Sequence, residues 1–150
     1  MAFTDEVSQF AQDNIQMEFK ESLRENKIKS FLYYIFFLFE EEKRDVDAIV
    51  NCFSSDGFEI LYPWGSSNSK EELVKWVSNI DEKSEYAHHI QNIEIRFIDN
   101  QKSEVKVDLT YQTLNIDKEL KNIKLHYKFE LIETKERYPK IKKYATIIVK

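Results

Sequence analysis

Glycine and proline occur only twice each in 150 residues, and cysteine once. With Cys52 alone, no disulfide can form within the chain, and a reducing, cytoplasmic setting fits that usage. With so few glycines there is no glycine-rich loop of the kind that cradles a phosphate, and no cofactor is expected. The chain also has no apolar run near the ~20 residues of a membrane span. Its longest, "FLYYIFFLF" at residues 31–39, is crowded by "ENKIKS" before and "EEEKR" after. The opening "MAFTDEVSQF" carries acids where a secretory signal carries basic residues, so neither a leader nor a membrane partner is expected.

Excess positive charge is missing too. The net charge is −5, divided into −10 over residues 1–100 and +5 over residues 101–150. A net acidic chain is a poor partner for phosphate backbones, so nucleic acid is not expected as a ligand. The late lysines alternate with apolar residues, the pattern of the wet face of a sheet. A chain of this length is expected to form one domain that buries roughly 70% of its unfolded surface.

What is present runs in a clear order, helices first and strands after, which predicts an α+β fold. Phe3, Val7, Phe10, Met17, Phe19 and Leu23 recur near helical spacing and predict an amphipathic helix over 3–26. Ile28, Phe31, Leu32, Ile35, Phe36 and Phe39 do the same for a helix over 28–43. Because that segment is apolar on all sides, it is expected to be covered on all sides. "DVDAIVNCFS" at 45–54 reads as a short helix and "GFEILY" at 57–62 as a strand. Ser69 and Glu72 have capping-box spacing and open a helix with Leu73, Trp76, Val77 and Ile80 on one face. After residue 85 the period becomes two: "HIQNIEIRFI", "SEVKVDLTYQTL", "NIKLHYKFEL" and "IKKYATIIV" read as an antiparallel sheet with one wet face.

Three of these pieces carry a resemblance. "DVDAIVNCFSSDGFEILYPWG" looks like a short helix and first hairpin, "SKEELVKWV" a capped helix, and "HHIQNIEI" the start of a long strand with His, three residues and Asn. In this order the chain resembles the SnoaL-like proteins of the nuclear-transport-factor-like superfamily, which includes the ketosteroid isomerases and scytalone dehydratases. The resemblance covers residues 28–150 and leaves 1–27 as an N-terminal helical extension. It implies a cystatin-like α+β barrel, in which a cone-shaped curved sheet wraps a long helix and the open end holds a small, apolar or aromatic molecule. It also implies a homodimer through the outer sheet face. Such a fold serves lyases, isomerases, non-catalytic ligand carriers and interaction modules, and the small subunits of ring-hydroxylating dioxygenases, so function must be argued from the site.

In the isomerase branch an Asp precedes the first hairpin's proline; here that place holds Tyr62, a poor base at neutral pH. Asp108 points outward by parity, so the later-strand acid of that branch has no match either. His88 matches the His of the dehydratase-like members, and imidazole titrates near the working pH. Strand parity counted from Ile93 and Ile95 turns His89 inward instead; a bulge near Gln91 would turn His88 inward. The neighbouring His88 and His89 diverge and cannot chelate together, so no metal is expected. His126 falls on the wet face. The isomerase branch also uses a Tyr on the long helix as an oxyanion donor, a place that the resemblance implies for Tyr33 or Tyr34, so the candidate catalytic set is His88 with Tyr33 or Tyr34. Phe37, Tyr62, Trp64, Trp76, His89, Asn92 and Tyr111 are candidate ligand-binding residues.

Overall fold

In a computed structural model of the chain, residues 5–150 are described. The first of the sequence-predicted helical residues, Phe3, and the side chains of Val7 and Phe10 lie outside what is described. The two expected helices are one: α1 runs from Asp5 to Glu40, 36 residues without interruption. The reason lies in the joint. No glycine or proline occurs before Gly57, and Lys29 pairs with Glu25 one turn back at 2.6 Å, across the supposed break.

α2 (Val46–Val50) follows, with the Asp45 side chain accepting from the Ala48 N–H at its start. Gly57, at φ 127, takes a backbone conformation that a side chain would strain. β1 (Glu59–Tyr62) and β2 (Gly65–Ser67) form the first hairpin, and α3 (Lys70–Ser78) begins at Ser69, whose hydroxyl accepts from the Glu72 N–H at 3.2 Å. Then come β3 (Glu85–Phe97), β4 (Lys102–Leu114), β5 (Leu120–Ile132) and β6 (Lys140–Ile148).

The six strands form one curved, open sheet in the order β2-β1-β6-β5-β4-β3. All neighbours are antiparallel except β1 and β6. The α+β class and the curved sheet packed on a long helix are as expected from the sequence. Val105, Val107, Leu109, Leu125, Tyr127, Phe129 and Leu131 are buried on its inner face against Ile28, Phe31, Leu32, Ile35 and Phe36 of α1.

Two details govern the site. First, β3 lies at the sheet edge, and its register with β4 skips Gln91: Ile90 faces Leu109 and Asn92 faces Asp108. This bulge switches the inward set from Tyr86, His88 and Ile90 to Ile93, Ile95 and Phe97. Second, α1 is covered on one side only. Tyr33 and Phe37 remain 59% and 56% exposed, contrary to the expectation of cover all round, because the sheet is open and reaches only the opposite face of the helix. The helix also outruns the sheet. Ile15, Met17, Phe19 and Leu23 are exposed, and among the described side chains Arg24 is the first of α1 to reach the sheet, through Glu133, the Asp99 carbonyl and the Phe97 ring. Among the described residues no helix is long and apolar enough to cross a membrane.

Candidate functional site

Between the C-terminal end of α1, the first hairpin, α3 and the inner face of the sheet lies a cavity of about 350 Å³. Its walls are mostly aromatic and aliphatic: Phe36 and Phe39 from α1, Tyr62 and Trp64 from the hairpin, Trp76 from α3, and Tyr86, Tyr111, Tyr127 and Tyr144 from the sheet. An apolar cavity of this size with a few convergent polar groups suits a small organic ligand.

His88 is the polar centre. Its ring, 6% exposed, lies flat on Phe36 with centroids 4.6 Å apart and 8° between planes, and Tyr111 approaches to 5.0 Å. Glu40, one helical turn beyond Phe36, holds it from behind. One carboxylate oxygen accepts the His88 backbone N–H at 2.6 Å and lies 3.2 Å from ring Nδ1. That backbone N–H is available because β3 is an edge strand and this group faces away from β4. A carboxylate at Nδ1 keeps the proton there and leaves Nε2 as the basic atom, with no hydrogen-bond partner among the described residues. Burial alone would raise the Glu40 pKa, but the hydrogen bonds from the His88 ring and backbone prevail and hold it below its ordinary range.

The phenols around this centre are donors, not bases. Burial pushes the pKa of Tyr111, Tyr127 and Tyr144 well above the usual value. The Tyr127 and Tyr144 rings pack against each other with centroids 5.1 Å apart. The Tyr62 hydroxyl is taken by Ser67, while its ring stacks on Trp64. Cys52 is remote and buried, with its thiol pushed up to about 11, so it is no nucleophile at neutral pH.

The structure brings together His88, Tyr111, Tyr62, Trp76 and, at the rim, the 73% exposed Trp64. Other candidates lie elsewhere. Tyr33 and Phe37 face solvent from the uncovered side of α1. Tyr34 stacks on Tyr138 at 5.0 Å, on a different flank of the helix from His88. His89, on the outer side of the bulged strand, bonds Gln112 at 2.9 Å, and Asn92, the first residue after the bulge, is exposed. Neither can reach the cavity. Sequence reasoning missed Glu40, read only as helix continuation. Its signal was its position two turns after Leu32 and one after Phe36, an acid at the end of a buried stripe.

No protein-family model matches the chain, and no curated protein matches its sequence. Solved structures do match its shape. A putative scytalone dehydratase from Novosphingobium aromaticivorans is 15% identical, with a TM-score of 0.74 over 87% of each chain. A hexachlorocyclohexane dehydrochlorinase is 14% identical, with a TM-score of 0.73 over 89% of this chain and 90% of that one. The beta subunit of the benzoate 1,2-dioxygenase from Burkholderia mallei is 17% identical, with a TM-score of 0.67 over 81% of this chain and 87% of that one. At these identities the likeness shows the fold alone, the cystatin-like α+β arrangement that the sequence resemblance implied.

Proposed function

We propose that the protein is a lyase or isomerase acting on a small, largely apolar carbonyl compound by proton transfer at His88. The observation that carries this reading is the Glu40–His88 pair, with His88 lining an aromatic cavity. In the proposed step Nε2 takes a proton from the carbon next to the substrate carbonyl, and the C–H electron pair moves onto the carbonyl oxygen. Glu40 offsets the charge on the imidazolium, and the Tyr111 hydroxyl donates to the developing oxyanion. His88 then returns the proton to another carbon in an isomerisation, or gives it to a departing hydroxyl in an elimination. Tyr33 and Tyr34 have no part in it.

The test is deuterium incorporation from heavy water into small aryl ketones and β-hydroxy acids, followed by mass spectrometry. Exchange by the native protein and its loss in His88→Ala are expected; exchange unchanged in His88→Ala removes His88 from the chemistry. A second reading, a non-catalytic ligand carrier, is favoured by the Tyr62 hydroxyl being already bonded within the protein and by the mostly apolar lining of the cavity. Ligand binding with no exchange by the native protein would select it. The outer sheet face, where the Arg96–Glu104 ion pair places both charge signs and His126 bonds Asp108, is proposed as a homodimer surface, with light scattering as the check.

A further inference from the structure

Arg44 is a cation placed against the cavity with no carboxylate in ion-pair contact among the described residues. It sits in the turn between α1 and α2, half-buried, and lines the cavity beside Tyr86 and His88. Two contacts fix its orientation. Its Nε donates to the Phe39 carbonyl at 3.0 Å, one of the acceptors left unpaired at the end of α1. Its guanidinium carbon lies over the Tyr86 ring, 5.1 Å from the centroid. Elsewhere in the fold Arg24 pairs with Glu133 and Arg96 with Glu104. Among the described residues no carboxylate is within ion-pair distance of Arg44. Asp81, which lines the same cavity, bonds the Lys83 N–H at 2.9 Å and the Ser84 hydroxyl at 2.8 Å and feels the charge of Arg44 only from beyond ion-pair distance.

A guanidinium has five N–H donors in a rigid fork. With Nε committed to Phe39, the end bearing the two Nη nitrogens is left, the edge that grips a carboxylate through two parallel hydrogen bonds. A cation drawn partly out of water gains most from a partner that brings negative charge. The remaining walls are mostly aromatic rings and aliphatic side chains.

We infer that the cavity takes a small aryl or unsaturated carboxylic acid as its monoanion, its carboxylate held end-on by Arg44 and its apolar body lying among the aromatic rings toward His88. This names the ligand class for the cavity of the proposed function. It rests on that cavity being the ligand site and is independent of whether His88 does chemistry there. Arg44 is then a specificity-determining residue: it selects acids over neutral isosteres.

The experiment compares phenylacetate, cinnamate and 4-phenylbutyrate with their primary amides, titrated calorimetrically into the native protein, Arg44→Gln, Arg44→Lys and His88→Ala. The native protein should bind at least one acid about 10- to 100-fold more tightly than its amide, the range of charge-assisted hydrogen bonding. Arg44→Gln should bring that ratio close to one with the amide's affinity unchanged, which also shows that the cavity is still folded. Arg44→Lys should restore part of the preference, since a lysine keeps the charge but loses the fork. Native protein that binds neither series, or binds acid and amide alike, overturns the inference, as does Arg44→Gln that keeps the preference. His88→Ala should still prefer the acid. If it does so while exchange is unaffected by that substitution, the catalytic reading fails and the ligand class stands.

Discussion

The sheet carries two histidine–carboxylate pairs, one on each face. On the outer face His126 Nδ1 and Asp108 are 2.5 Å apart, directly across β4 and β5, with both side chains nearly half exposed. On the inner face His88 Nδ1 and Glu40 are 3.2 Å apart, and the ring is buried. Distance alone would favour the outer pair. Yet an exposed pair is hydrated and screened and contributes at most about 1 kcal/mol. The inner pair is held by a second bond, to the backbone N–H, and by Phe36 stacked on the ring, and it has a cavity in front of it. A histidine–carboxylate pair becomes a site through what fixes it and what it faces.

The comparison can be broken in order of effect. His88→Ala should lower deuterium exchange by about 10²- to 10⁴-fold, the usual share of a positioned acid–base group, while His126→Ala leaves it unchanged. Phe36→Ala should lower unfolding free energy by about 3–5 kcal/mol in urea melts, because it opens a core void, and should also free the His88 ring. Glu40→Gln should lower kcat about tenfold with little change in KM, since the amide can still accept the backbone N–H but cannot offset an imidazolium charge; Asp108→Asn should change neither.

The smallest effect is in pH. The folded-state pKa of Glu40 lies below its ordinary 4.5, so its contribution to stability is fully present above about pH 4.5 and is lost as pH falls through the depressed value. The stability gap between native protein and Glu40→Gln, measured in urea, should therefore narrow on going from neutral pH to about pH 3. A gap constant over that range would mean that the carboxylate is not held by His88.

For the outer pair the face of each partner was legible in the sequence, and the pairing came from the strand register. Strict alternation in "SEVKVDLTYQ" and "NIKLHYKFEL" puts Asp108 and His126 on the wet face, where they are found. The inner pair was half legible. His88 was a candidate, but alternation counted from Ile93 points to His89, and only the skipped residue Gln91 reverses the parity. Glu40 could not be paired with His88 from spacing, because 48 residues separate them and the contact exists only where the end of α1 meets the edge of the sheet. The aromatic run of residues 31–39 shows the same limit. Its helical character could be read, but which side was covered could not: Phe31 and Phe36 are core, and Tyr33 and Phe37 are surface.

The chain by itself determined the α+β class, the helices-then-strands order, the caps and turns, and the wet face of the long strands. Those properties follow from periodicity and local hydrogen bonding within a few residues. The tertiary structure alone decided that α1 is covered on one side, that a bulge turns His88 inward, that Glu40 braces it, and that Arg44 stands at the cavity with no ion-pair contact among the described residues. Each of these depends on strand register or on the meeting of distant elements, and neither leaves a period in the sequence.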